Sequence, residues 1–197
     1  MTIILWTIAT YFIASIPFSL VLGWIVLRKD IRQFGDGNPG ATNVKRAGGG
    51  LFWYIVALLL DGFKGLFPVG IPYWLMGWQG VEIVPIAIAA ILGHAYSIFL
   101  RFKGGKAIAT TGGIWTGLLG FEGAIVIAIT LSYWFFAVKE EDWAVVLMML
   151  SLLAYVLYTR GINTPLLPIW IGNFAIVAVK HRHSLNHLPH LRKGSAV

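Results

Sequence analysis

AIATTGGIWTGLLGFEGAIVIAITLSYWFFAV, residues 107–138, decides how many times this chain crosses a membrane. Its 32 residues carry one charged side chain, Glu122. As one α-helix rising about 1.5 Å per residue it would be about 48 Å long, against about 30 Å of bilayer hydrocarbon. LLGFEG, residues 118–123, offers a turn, so two short spans are expected in place of one long one.

The rest of the chain agrees with that setting. Hydrophobic residues make up 58% and charged residues 12%, where a soluble domain carries roughly a quarter charged. Mean hydropathy is +0.78. Met1–Leu27 has no charged side chain and exceeds the roughly 20 residues that a helical span needs. No basic segment precedes it and no A-x-A site follows, so a retained span is expected and not a cleaved signal. The expected fold is all-α: a polytopic integral membrane protein with seven transmembrane helices, at about 2–27, 51–77, 83–100, 107–119, 123–138, 143–159 and 163–180. One membrane-embedded domain over 1–197 is expected, since no repeat, low-complexity tract or linker interrupts the chain.

Charge tests the count. With seven spans, thirteen of the fifteen Lys and Arg residues fall on one side, with Arg160 opposite and Lys64 inside a span. With 107–138 as a single helix, the split is nine against five. Positive residues gather on the cytoplasmic side, which selects seven spans, a non-cytoplasmic N-terminus and a cytoplasmic C-terminus. The net charge of +7 is thus a topology signal with some attraction to anionic lipid headgroups, and nucleic acid is not an expected partner. Zero cysteines exclude disulfides, thiolate metal sites and a cysteine nucleophile.

Two loops on the cytoplasmic side hold the chemistry. GDGNPGATNVKRAGG (35–49) contains Gly35, Gly37 and Gly40, which permit positive φ and close backbone approach. Successive amides in such turns can form an anion-binding nest. Asn38, Thr42 and Asn43 add neutral donors, while Arg46 beside Lys45 can grip two phosphate oxygens. Alone, this loop reads first as a flexible polar connector. RFKGGKAIATTGG (101–113) repeats the pattern, with Lys103, Gly104, Gly105 and Lys106 before an apolar helix whose first amides and dipole favour an anion. The spacing G-x-x-x-x-G-K-[ST] is absent, so no nucleotide triphosphatase is indicated. Two phosphate-suited loops on one face point to a site handling phosphate groups at the membrane surface.

LLLDGFKG puts Asp61 and Lys64 three residues apart on one face of the second span. Each would cost roughly 2.5–3.5 kcal/mol at a helix centre, so they neutralise each other or brace the loops from behind. His94 precedes Arg101 by seven residues, about two turns, and can face the same pocket. The tail KHRHSLNHLPHLRKG (180–194) reads as a cationic amphipathic helix on the membrane surface, with His181 able to turn inward. It lacks H-E-x-x-H, so no metal is expected. VKEED (138–142) reads as a solvated loop.

GDGNPGATNVKRAGG, GHAYSIFLRFKGGKAIAT and, more weakly, KHRHSLNHL resemble the three motifs of the bacterial acyl-phosphate:glycerol-3-phosphate acyltransferase (PlsY) family. LLDGFKG stands where that family has a similar Asp and Lys. The resemblance runs from about residue 15 to 188 with the same span order. It implies a multi-pass protein of the bacterial inner membrane, with its active site at the cytoplasmic face. It also implies transfer of a fatty acyl group from acyl phosphate to the 1-hydroxyl of glycerol 3-phosphate, giving lysophosphatidic acid for phospholipid synthesis, with no cofactor. By position, the resemblance makes Asn38, Thr42, Asn43, Arg46, His94 and His181 catalytic. Gly37, Gly40, Lys103, Gly104, Gly105, Lys106, Thr110, Arg182 and Ser184 would hold substrate, with Asp36, Asp61 and Lys64 supporting them. The chain departs from the pattern at Asp36 and Ser184, where the family usually has Ser and Asn. Asp36 would place an anion beside a phosphate site unless it turns away or is neutralised by Arg46 or a lysine. These departures keep open a same-fold acyltransferase with a different phosphorylated acceptor. FPVGIPYW (67–74) and the charges inside the second span keep open a non-catalytic lipid-binding or transport protein.

Overall fold

A computed structural model describes residues 1–182 and 185–192. These residues are helical, apart from loops and one isolated antiparallel bridge between Val138 and Leu191. The longer helices are α1 (Thr2–Ser15), α4 (Gly50–Leu75), α5 (Ile83–Ala95), α6 (Ile108–Leu119), α7 (Phe121–Ala137), α8 (Glu141–Arg160) and α9 (Leu166–His181). Short α2 (Phe18–Leu22) and α3 (Ala41–Val44) flank the first loop. Among the described residues, four helical stretches are long and apolar enough to cross a membrane: Thr2–Leu27, Ala41–Leu75, Ile83–Leu100 and Glu141–Arg160. Phe121–Ala137 and Leu166–His181 are shorter apolar helices.

The stretch 107–138 divides at Gly120, whose φ of 67° and ψ of −149° end α6 and start α7. The first apolar stretch, expected as one helix over 2–27, is broken. Pro17 disfavours a helical residue before it, and Ile16 is extended, with ψ of 121°. The break frees the Ile16 carbonyl, which accepts a hydrogen bond from Lys64 Nζ at 2.9 Å. In α4, Pro72 has no N–H for the Pro68 carbonyl four residues back. Trp6 Nε1 donates to that carbonyl instead, at 2.8 Å. Backbone groups in hydrocarbon must find such partners within the protein.

Helices α4 and α6 approach through glycines. A Cβ on Gly113 would overlap the Gly62 carbonyl, and one on Gly65 would overlap the Thr110 carbonyl. Small residues are what let membrane helices come this close. The tail differs from the helix expected over 180–194. After α9 it runs beside the α7–α8 connection, where Lys139 N donates to His190 O and Arg192 N to Ala137 O, both at 2.9 Å. Trp143 Nε1 donates to His187 O at 2.7 Å and His190 N to Glu140 Oε2 at 2.9 Å. These backbone partners replace the intrahelical bonds an amphipathic helix would have made.

Candidate active site between the two glycine-rich loops

The first loop is knotted around Asn43, which is only 1% exposed. Its Nδ2 donates to Asp36 Oδ1 at 3.1 Å and to the Asn38 carbonyl at 2.9 Å, while its Oδ1 accepts from Arg46 Nη1 at 3.3 Å. Gly35 holds φ of 58° here. A Cβ on it would overlap Asn43 Oδ1 and the Arg46 guanidinium. Asp36 Oδ1 also accepts from the Asn38 amide at 3.2 Å. The charge of Asp36 is answered by Lys106 Nζ at 3.2 Å and by Arg46 Nη1 at 3.9 Å. Partial burial opposes ionisation of Asp36, but the Asn38 amide, Lys106 and Asn43 outweigh it and hold its carboxyl below the ordinary value.

The second loop hooks onto the end of α5. Gly104 N donates to the Ala95 carbonyl at 3.2 Å and Gly105 N to the His94 carbonyl at 3.1 Å. From α9, Lys180 Nζ donates to the Ala95 and Gly104 carbonyls, both at 3.0 Å. With the amides of Gly104 and Gly105 spent on α5, and those of Gly37 and Asn38 spent on Phe34 O and Asp36, neither loop is the backbone nest that the glycines suggested. Here the glycines serve close packing: a Cβ on Gly104 would overlap the His94 carbonyl, and one on Gly105 the His94 ring. The cations, not the amides, face open space.

Behind the loops lies a buried polar group. Asp61 and Lys64 form an ion pair at 2.9 Å, and Ser19 Oγ donates to Asp61 Oδ2 at 2.6 Å. His94 Nδ1 lies 3.9 Å from Asp61 Oδ1. Thr110, expected to touch substrate, is instead fully buried and donates from Oγ1 to the Asp61 carbonyl at 2.9 Å. Its hydroxyl is spent bracing α6 against α4.

VKEED is not a solvated loop. Asp142, in the first turn of α8, receives Lys106 Nζ at 3.2 Å and the Nδ1 of buried His181. Burial again opposes the Lys106 charge, but Asp142 and Asp36 outweigh it and raise the ammonium above its ordinary value. His181 therefore meets the site through Asp142. Asp142, Lys180 and Ser19 were not legible as site residues. Ser184 lies outside the described residues.

Two cavities meet at these groups. The first, about 240 Å³, has Asn38, Thr42, Arg46, Lys106, His94 and Asp142 among its polar lining, with Gly40 beside them. Its other wall is apolar: Tyr54, Leu58, Leu131 and Phe135. The second, about 390 Å³, is lined by four cations, Lys103, Lys106, Lys180 and Arg182, with Gly37 and Gly104, against one carboxylate, Asp36. Asp36, Asn38 and Lys106 belong to both. A third void of about 10 Å³ lies among Asp61, Lys64, His94 and Gly105.

Residues 4–190 match the family described as glycerol-3-phosphate acyltransferase. Glycerol-3-phosphate acyltransferase 1 of Thermotoga maritima is 41% identical over 170 residues, covering 79% of this chain and 83% of that one. The glycerol-3-phosphate acyltransferase of an Anaeromyxobacter species is 36% identical over 183 residues, covering 91% and 89%. The fold matches the crystal structure of PlsY (YgiH), an integral membrane glycerol 3-phosphate acyltransferase, in its glycerol 3-phosphate form, with TM-score 0.84, 26% identity and coverage of 98% and 96%. The lysophosphatidic acid form of the same protein gives TM-score 0.83 at 25% identity, with coverage of 98% and 96%. The chain belongs to the glycerol-3-phosphate acyltransferase family.

Proposed function

We propose that the protein transfers a fatty acyl group from acyl phosphate to the 1-hydroxyl of glycerol 3-phosphate, giving lysophosphatidic acid. It does so without metal or cofactor, as a single domain of seven spans in the bacterial inner membrane, with the site at the cytoplasmic face. One observation carries the reading: a cavity with an apolar wall and a cavity rich in cations share Asp36, Asn38 and Lys106. An acyl chain suits the first and a phosphorylated polyol the second.

In this reading the acyl chain lies along Tyr54, Leu58, Leu131 and Phe135, with the donor's phosphate on Arg46 and Lys106. The acceptor's phosphate sits among Lys103, Lys180 and Arg182. Its 1-hydroxyl oxygen attacks the acyl carbonyl carbon, an ester C–O bond forms, and the bond from that carbon to the phosphate oxygen breaks. Acyl phosphate is a mixed anhydride with a good leaving group, so the departing phosphate can take the hydroxyl proton. Holding two substrates at one junction supplies much of the rate, and Lys106 and Asn38 stabilise charge on the carbonyl oxygen. On Asn38 only Nδ2 can donate to that oxygen; its Oδ1, buried without a partner among the described residues, is an acceptor. Asn43 and His181 work as positioning residues, through Arg46 and Asp142.

The experiment supplies purified protein with acyl phosphate and labelled glycerol 3-phosphate and follows lysophosphatidic acid. Product is expected. Protein that binds both substrates and forms none overturns the proposal.

A further inference from the structure

Lys106 Nζ lies 3.2 Å from Asp36 Oδ2 and 3.2 Å from Asp142 Oδ1. The two carboxylates arrive from separate parts of the chain and each is held from behind. Asp36 is fixed by the Asn38 amide and the Asn43 side chain, and Asp142 by buried His181. An ammonium has three N–H donors, and here two of them already have an anion. In the first cavity Lys106 and Arg46 face Asp36, Asp142 and Glu141, and Asp61 beyond them is paired with Lys64. That cavity therefore has no surplus positive charge, unlike the second with Lys103, Lys180 and Arg182. A phosphate arriving at Lys106 finds one N–H open but must compete with two carboxylates already placed against the ammonium's charge.

We propose that Asp36 and Asp142 are built-in counter-ions of Lys106 that compete with phosphate in the first cavity, and so determine how weakly this site holds inorganic phosphate, the leaving group. This rests on the reading of that cavity as the donor's seat. When the ester C–O bond forms and the acyl carbon–phosphate bond breaks, phosphate departs with the hydroxyl proton. The carboxylates then return to Lys106, so product is expelled by groups already on the chain. The second cavity, with its uncompensated cations, keeps the selection of the phosphorylated acceptor.

The test titrates inorganic phosphate into detergent-purified protein by calorimetry, without donor or acceptor, so it does not depend on turnover. Asp36→Asn and Asp142→Asn keep the side-chain shape and remove the charge. Each is expected to bind phosphate about tenfold tighter than wild type, the scale of a partly exposed charge close to a ligand. The gain should vanish when Lys106→Met is added. Unchanged or weaker binding in either folded variant overturns the proposal, and so does a gain that survives Lys106→Met. Asp142 touches a buried histidine; should its variant not fold, the Asp36 variant, on an exposed loop, decides alone. If wild type forms no product while both variants bind phosphate tighter, the functional reading fails and the counter-ion role stands.

Discussion

Gly104 sits so close to α5 that one added methyl group would meet the carbonyl of His94 and the backbone of Ala95. Because those are backbone atoms, the loop must move, carrying Lys103 and Lys106 with it. A displacement of about 1 Å in a positioned group can cost about a hundredfold in rate. Gly104→Ala is therefore expected to lower kcat/KM by about that factor, with a small change in melting temperature; acyl-transfer kinetics beside a thermal melt check it. Acidity at the same place has a defined sign. The Asp36 carboxyl is held below its ordinary 3.8 and the Lys106 ammonium above its ordinary 10.5. A depressed carboxyl contributes above 3.8 and is lost as pH falls through its folded value. A raised ammonium contributes below 10.5 and is lost as pH rises through its own. Between those limits the pair stays charged, so its contribution to stability is expected to be flat from pH 5 to 9. A midpoint of the thermal melt that changes between wild type and Asp36→Asn by an amount varying with pH in that window contradicts this. Arg46 and Lys106 were legible in the sequence because their glycine-rich surroundings are local. Asp142 was not: it reaches Lys106 across 36 residues of chain, and four polar residues in a row look solvated when nothing shows what they fold against.

At the level of elements, the break at Pro17 and the ion pair in α4 explain each other. The break turns the Ile16 carbonyl toward α4, where Lys64 meets it at 2.9 Å while also holding Asp61. Removing one partner of a buried pair leaves a charge uncompensated, at about 3–5 kcal/mol, whereas removing both is often close to neutral. Lys64→Met is expected to lower thermal stability strongly in detergent, and Asp61→Asn with Lys64→Met to recover much of the loss. A double variant as unstable as Lys64→Met alone would show that the pair is not what links α1, α2 and α4. The sequence carried the Asp–Lys spacing and the Gly120 division plainly. Apolar length masked the helix break at Pro17. The tail kept a helical charge pattern but took its hydrogen bonds from Ala137 and Lys139, 50 or so residues earlier, which no local periodicity encodes.

Across the whole molecule, one end of the bundle gathers the two glycine-rich loops, and the other gathers what remains. At that other end Trp74 reaches within 3.9 Å of the position a Cβ on Gly120 would take. Arg160 there pairs with Glu122 at 3.1 Å, and Tyr155 also donates to Glu122. Arg160 is thus neutralised, while the cations of the two glycine-rich loops, Lys103 and Lys106 among them, line the cavities at the opposite end, the arrangement expected of a cytoplasmic face. If that end faces the cytoplasm, phosphorylated metabolites reach the site without crossing the bilayer. The chain has no cysteine, so single substitutions report side directly. Gly37→Cys and Lys139→Cys are expected to react with a membrane-impermeant maleimide only from the cytoplasmic side. Gln79→Cys and Asn163→Cys should react only from the opposite side; all four positions border exposed loops. Labelling of positions 37 and 139 from different sides would mean an even number of crossings in 107–138 is wrong, and with it the division of that stretch at Gly120 into two spans. The two loops would still share their walls, but the charge argument for the face they occupy would be lost.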